Sequence, residues 1–282
     1  MELAGKTAVI TGGASGIGFA TATRMASSGA KLVLGDIEQE PLDAAVATLK
    51  VGGADVVGVA CDVSRFEDVE RLRDRAVDAF GTVHVLFNNA GVGGGPTIGS
   101  PVEMWRWVVG VNLDGVFFGV HAFLPLLLEQ DEGHIVNTAS LAGLGGVPGM
   151  GPYCATKFGV VGLSESLYYD LAARNSGVHV SVLCPGFVRT RIAQSSRNMP
   201  EAVRAKVPQR DAEGMEDIAA AVVAAGIDPA IVADHVVDAI TSEGFWVLPH
   251  EHVAIRTTEQ RLDWMKGGEP ATINLNKATR GG

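Results

Sequence analysis

The chain has 282 residues, 47% of them hydrophobic and 19% charged, with a formal net charge of −10. That length allows one large α/β domain or two small ones, with apolar residues enough for a sizeable core. The negative charge argues against nucleic acid or an anionic membrane as a partner, because their phosphates would be repelled.

Taken in chain order, short β-branched runs alternate with longer helical patterns. Thr7–Thr11, Lys31–Asp36, Asp55–Ala60, Val83–Phe87, His134–Thr138 and Val178–Leu183 read as buried strands. Helices are expected near Ile17–Ser28, Pro41–Lys50, Phe66–Phe80, Val102–Leu128 and Tyr153–Arg174. Gly29, Gly81 and Gly177 stand just past three of these helices, where a C-terminal cap favours glycine. Such alternation implies right-handed crossovers and a mostly parallel, doubly wound α/β sheet of about seven strands, with helices on both faces. After Leu183 the pattern loosens: Gly186–Asp217 has few regular apolar positions. Helices are then expected near Ile218–Ala225 and Pro229–Glu243, a strand at Phe245–Leu248, a helix near His252–Lys266 and a polar tail. The expected division is a domain over 1–250, including a substrate loop at 187–217, and a C-terminal helix and tail over 251–282.

The three cysteines, Cys61, Cys154 and Cys184, show no CxxC spacing and fit reduced thiols. Cys154, beside Tyr153, reads as a small buried residue and not as a nucleophile. His250 and His252 lack cysteine or carboxylate company, so they read as solvated or capping residues and no metal is expected. The opening MELAGKTAVITGG has too short an apolar run for a signal peptide. The apolar stretch around Val116–Leu128 holds His121 and Pro125 and is shorter than the ~20 residues that span a bilayer. A soluble, cytoplasmic protein is expected.

The segment TAVITGGASGIGFATATRMASSGAKLVLGD is a strand, a glycine turn, a helix and a second strand ending in an acid. Gly12 permits a sharp exit, Gly16 lets the backbone approach a pyrophosphate, and Gly18 allows close helix–strand packing. Free N–H groups at the helix start then face the phosphates. The spacing is GxxxGxG, not the commoner GxGxxG. Asp36, at the end of the second strand, can accept hydrogen bonds from the adenosine ribose hydroxyls. It would repel a 2′-phosphate, and LGDIEQE offers no neighbouring cation, so NAD is expected over NADP.

With these features the chain resembles the short-chain dehydrogenase/reductase family over about Lys6 to Thr190. The resemblance rests on TGGASGIG at 11–18, Asp62, NNAG at 88–91 and Asn112. Ser140, Tyr153-x-x-x-Lys157, Pro185-Gly186 and Thr190 follow in the same order. It implies a catalytic set of Asn112, Ser140, Tyr153 and Lys157. Tyr153 would be the general acid/base, Ser140 would orient the substrate oxygen, and Lys157 would bond the nicotinamide ribose. Asn112 would hold a proton-relaying water through a side-chain or backbone group. Asp62 would bond adenine, Asn89, Ala90 and Gly91 would line the adenosine ribose edge, and Thr190 would meet the carboxamide. Ser15, Ile17, Ile37, Cys61, Val63, Pro185, Gly186 and Val188 complete the implied cofactor contacts.

Tyr153 and Lys157, four apart, project from one helix face. A free tyrosine titrates near 10, so action near neutrality demands a shift of ~3 units, or ~4 kcal/mol. One positive charge ~5 Å away at an effective dielectric of ~20 contributes ~3 kcal/mol. Lys157 with an oxidised nicotinamide would therefore suffice before desolvation is counted.

The resemblance implies reversible hydride transfer between NAD(H) and a secondary alcohol or ketone. Leu141, Leu144, Val147 and Met150 suggest that this substrate is hydrophobic. Two other readings are an NAD-sensing regulator without turnover and a reductase of carbon–carbon double bonds. From Arg189 to Arg210 six basic residues face one acid, Glu201. They read either as a solvated loop paired with carboxylates elsewhere or as an attractor for an anionic substrate. Long helices such as Val102–Leu128 and Tyr153–Arg174 commonly pair between subunits in this family, so a homodimer or homotetramer is expected.

Overall fold

The computed structural model describes residues 1–207 and 220–270. Seven strands form one sheet: β1 Thr7–Thr11, β2 Lys31–Asp36, β3 Val56–Ala60, β4 Val85–Asn88, β5 Gly133–Thr138, β6 Val178–Leu183 and β7 Trp246–Val247. Their order is β3-β2-β1-β4-β5-β6-β7, and every pair is parallel. The chain moves outward from β1 to β3, then returns to place β4 on the other side of β1. That reversal opens a crevice at the carboxyl ends of β1 and β4, where open parallel sheets bind ligands.

β1 and β5 are buried at every residue, as a sheet covered on both faces requires. Alternate strand residues serve opposite faces. Ile10, Leu32 and Leu34 pack with Met25 of α1 (Gly16–Ser27), Leu42 of α2 (Gln39–Val51) and Val236 of α8 (Pro229–Ser242). Val9 and Val33 belong instead with Leu72 of α3 (Phe66–Phe80), Phe123 of α5 (Gly115–Gln130) and Leu167 of α6 (Gly151–Ala173). α4 spans Val102–Val109, α7 spans Glu201–Arg204 and α9 spans Glu251–Met265.

The expected long helix is one helical run, Val102–Gln130, with a π turn at Gly110–Asp114 joining α4 to α5. Its 29 residues correct the expectation of an apolar stretch too short to cross a bilayer: by length and composition this helix could do so. It packs instead against the sheet, with Phe123 and Leu127 fully buried.

β4 runs to Asn88 and not Phe87, because Asn88 pairs with Asn137 in register and donates a side-chain hydrogen bond to it at 2.9 Å. Gly29 and Gly81 adopt positive φ after their helices, but Gly177 does not. After α6 the left-handed position falls on Asn175 (φ 49°), and Gly177 instead lets the Asp131 carbonyl approach its Cα closely. In the looser region a 3₁₀ segment, Ile192–Asn198, precedes α7. Of the helix expected at Ile218–Ala225, residues 220–224 are helical and the first two positions lie outside the described residues. The polar tail from 271 onward also lies outside them.

Candidate active site

The turn after β1 is shaped by glycines at positions where a side chain would collide. Gly12 and Gly16 have φ of 62° and 54°. A Cβ on Gly12 would sit 2.9 Å from the Ala90 Cα, and one on Gly18 2.7 Å from the Asn89 amide nitrogen. Asn89 fastens the turn: its side chain donates to the carbonyls of Thr11 (3.0 Å) and Gly12 (3.2 Å). The Thr11 hydroxyl accepts the N–H groups of Asn89 and Ala90. Asn89 thus supports the cradle from behind. Ser15 precedes α1 in extended conformation without capping it through its side chain, and the first turn has no acid. Uncapped N–H groups at the head of α1, on a turn without side chains, fit a pyrophosphate.

Asp36 stands across this turn. Its Oδ2 accepts the Ala14 N–H and its Oδ1 the Glu38 N–H, each at 3.0 Å. Burial raises its pKa, while these N–H donors oppose the rise. A carboxylate has about four lone-pair sites, so capacity for ribose hydroxyls remains. Ile37 beside it is half exposed, at 50%. Farther along the edge, Asp62 Oδ1 accepts the Ser64 N–H (3.0 Å) and hydroxyl (2.7 Å). Cys61 is buried, with its thiol pushed up to about 12 by burial and by Asp68, which makes it inert. Val63 is buried beneath Gly115, and Val188 is buried in the core. Their side chains serve the core.

The four expected catalytic residues come from three elements. The π turn carries Asn112 inward, fully buried. Its side chain is committed on both sides to Val92, accepting the N–H at 2.8 Å and donating to the carbonyl at 2.9 Å. The π turn interrupts the regular i to i+4 backbone ladder at Asn112. Ser140 follows β5; its hydroxyl accepts the Ala142 N–H at 3.1 Å and donates to the Pro185 carbonyl at 3.4 Å. Tyr153 and Lys157 lie in the first two turns of α6, with the lysine Nζ 5.5 Å from the centre of the tyrosine ring. Lys157 is buried, and its ammonium donates to the Thr138 carbonyl at 2.8 Å. Gly91 lies beside both polar tips: a Cβ there would be 3.4 Å from Asn112 Oδ1 and 3.7 Å from Lys157 Nζ.

Electrostatics depart from the simplest expectation. Burial pushes the Tyr153 phenol up to about 12, opposed by a hydrogen bond with Ser140. Burial also lowers Lys157 to about 8, which still leaves it mostly charged at neutral pH. Lowering the phenol from about 12 to ~7 demands ~7 kcal/mol, not ~4. A lysine charge ~5 Å from the phenol oxygen would supply ~3 kcal/mol at an effective dielectric of ~20. The lysine alone therefore does not offset the burial of the phenol.

The loop after β6 covers the cleft. A Cβ on Gly16 would meet the Thr190 methyl at 2.9 Å, so Thr190 lies directly over the glycine turn. Ser195, buried, accepts the Gly93 N–H at 2.8 Å. Arg197 grips Glu38 with two hydrogen bonds of 2.9 and 2.6 Å, and Arg191 lies 3.8 Å from the same carboxylate. The other described cations of this stretch are also engaged: Arg189 with Asp228, Arg204 with the Ser196 carbonyl, and Lys206 with Glu103. This is the paired reading of the basic loop; Arg210 lies outside the described residues.

Sequence reasoning missed the Glu38–Arg197 grip, the Thr138 carbonyl under Lys157 and the Ser195–Gly93 bond, none of which carries a local motif. Of the two readings of His250, the structure keeps the capping position at the head of α9 and not the solvated one: its ring is buried and accepts the Gly186 N–H at 3.1 Å. Cys154 is buried as expected, its sulfur accepting the Val147 N–H at 3.3 Å.

Comparison with known proteins agrees with this geometry. The pattern of the short chain dehydrogenase family matches residues 6–201. Meso-2,3-butanediol dehydrogenase of Serratia marcescens is 38% identical over 215 residues, covering 76% of this chain and 82% of that protein. A short chain dehydrogenase/reductase from Burkholderia phymatum, solved in complex with NAD, superposes with a TM-score of 0.92 at 43% identity, covering 96% of this chain and 98% of that one. A metagenomic short-chain oxidoreductase in complex with NADP gives a TM-score of 0.69 at 30% identity, over 88% and 97% of the two chains. By sequence and by fold, the chain belongs to the short chain dehydrogenase family, nicotinamide-dependent oxidoreductases that act on CH–OH groups.

Proposed function

We propose that the protein interconverts a secondary alcohol and a ketone with NAD(H). The observation that carries this reading is the convergence of Ser140, Tyr153 and Lys157 at the crevice, with Asn112 on the π turn behind Gly91. The cofactor, when bound, supplies the hydride acceptor and a second positive charge. Gly12, Gly16, Gly18 and the start of α1 hold its pyrophosphate; Asp36 takes the adenosine ribose; Asp62 takes adenine. In oxidation, the Tyr153 phenolate removes the substrate hydroxyl proton while Ser140 fixes the substrate oxygen. Lys157 holds the phenolate charge down and passes the proton outward, with a water on the Asn112 backbone completing the route.

NAD is favoured because the Asp36 carboxylate occupies the region where a 2′-phosphate would sit. Arg197 and Arg191 of the covering loop are engaged by Glu38. The apolar Leu141, Leu144, Val147 and Met150 beside Ser140 favour a hydrophobic substrate. Exposed Trp105, Phe117 and Tyr169 on α4, α5 and α6 suit a homodimer or homotetramer. We place residues 1–250 in one cofactor-binding and catalytic domain, with 251–282 as a helix and tail, in a cytoplasmic protein. The test is incubation with NAD⁺ or NADP⁺ and a panel of aliphatic, aromatic and steroidal secondary alcohols, followed by the absorbance of the reduced cofactor. Turnover is expected with NAD⁺ and lost in Tyr153→Phe; turnover unchanged in that variant would remove the reading.

A further inference from the structure

His250 lies outside every motif named above, yet its ring is almost fully enclosed, at 3% exposure. It follows β7 and stands at the head of α9. Its Nδ1 accepts the backbone N–H of Gly186 at 3.1 Å. Packing enforces the contact: a Cβ on Gly186 would fall 3.1 Å from two atoms of the imidazole and 3.0 Å from Leu141. The other end of the same peptide unit is held as well. The Pro185 carbonyl accepts the Leu141 N–H at 3.0 Å and the Ser140 hydroxyl at 3.4 Å. One peptide is thus clamped between the active-site serine and a histidine that lies 64 residues beyond Gly186.

The hydrogen bond also sets the chemical state of the ring. A backbone N–H donates only to an unprotonated nitrogen, so Nδ1 carries no proton and the neutral ring carries its proton on Nε2. Burial favours this neutral form, and His252 and His235 act in the same direction.

We propose that His250 is a positioning residue for the nicotinamide half of the site, fixing the Pro185–Gly186 peptide and through its carbonyl the Ser140 hydroxyl. The proposal rests on the cofactor reading given above. It assigns His250 no contact with substrate. It requires only a buried acceptor at Nδ1, which an asparagine can replace and an alanine cannot.

The experiment compares wild type, His250→Ala and His250→Asn for binding of the reduced cofactor and of ADP-ribose, which shares its adenosine and pyrophosphate but lacks nicotinamide. NADH is used, or NADPH if the wild type binds that more tightly. His250→Ala is expected to weaken the dinucleotide about tenfold, roughly the weight of one hydrogen bond to a buried group, while leaving ADP-ribose within about twofold. His250→Asn should recover most of the loss. A proton–nitrogen spectrum of the wild-type histidines, taken without any ligand, should show one ring protonated at Nε2 that is missing from both variants. Equal weakening of both ligands would mean a general structural role and overturn the proposal, as would a His250→Asn protein no better than His250→Ala, or a ring protonated at Nδ1. A wild type that binds ADP-ribose but neither dinucleotide would instead sink the cofactor reading itself.

Discussion

The turn after β1 and the loop after β6 face each other across one cleft, and they are built by opposite means. The turn is made of backbone. Its glycines remove side chains, and its fastenings run between β1 and the adjacent end of β4. The covering loop is made of side-chain contacts that reach far along the chain: Arg197 to Glu38 across 159 residues, Ser195 to Gly93 across 102, His250 to Gly186 across 64. A backbone cradle keeps its shape when its ligand leaves. A cover held by a few ion pairs and hydrogen bonds can open one bond at a time, as cofactor exchange requires.

The largest expected effect lies at the centre between them. Tyr153→Phe should lower kcat by about 10³-fold, the upper part of the range for losing a general acid/base, with cofactor affinity held within about threefold. Steady-state rates alongside cofactor titration check this; a matching loss of affinity would mean that the ring serves the cradle and not the chemistry.

Next is the cradle side. Asp36→Asn removes the negative charge proposed to meet the ribose, and the preference for NAD⁺ over NADP⁺ in kcat/KM should fall about 100-fold, the weight of two charged hydrogen bonds. A preference that does not move would leave Asp36 only as a fastener of the Ala14 and Glu38 N–H groups.

The sheet beneath both regions offers a pH test. His134, fully buried, is driven down to about 3 by desolvation. Ser181 donates its hydroxyl to the Gly244 carbonyl, so the ring must donate from Nε2 to Ser181, which leaves Nδ1 unpartnered among the described residues. The folded pKa lies below the unfolded value near 6.5, so the unfolded chain binds the extra proton first. His134's contribution to stability is therefore complete above 6.5 and shrinks as pH falls toward 3, by ~1.4 kcal/mol per unit once well below 6.5. Urea melts of wild type and His134→Gln between pH 7 and 5 should show a steeper fall in wild type; parallel curves would contradict the assignment.

The smallest effect belongs to the cover. Glu38→Gln should raise the NADH dissociation rate about fivefold, consistent with a partly buried ion pair of ~1 kcal/mol. Arg197→Met should do the same, and the double variant should add little. Additive losses in stopped-flow traces would show that the two residues act separately.

The same contrast explains what the sequence disclosed. Strand runs, the GxxxGxG turn and the Tyr153–Lys157 spacing are local patterns, and each has a backbone or helical-face meaning that composition can carry. The place of Asp36 was legible because it ends the second strand, which returns beside the turn. The Glu38–Arg197 grip and the His250 acceptor were not, since a glutamate, an arginine and a histidine so far from their partners have no period or spacing to betray them. Gly177 misled for a related reason: its position imitates a helix cap, while its cause is a carbonyl from another turn. The demand on Tyr153 was also understated, because desolvation depends on what encloses the ring.

The most direct measurement is the pH dependence of kcat/KM for alcohol oxidation in wild type and Lys157→Met, with Tyr153→Phe as the blank. The expected result is a rising limb with an apparent pKa several units below the value of about 12 that burial gives the cofactor-free phenol. Lys157→Met should move that limb upward by about 2 units, the ~3 kcal/mol of one charge ~5 Å away. A limb that stays in place without the lysine, or persists in the residual activity of Tyr153→Phe, would contradict the assignment of Tyr153 as the acid/base and Lys157 as the charge that makes it one.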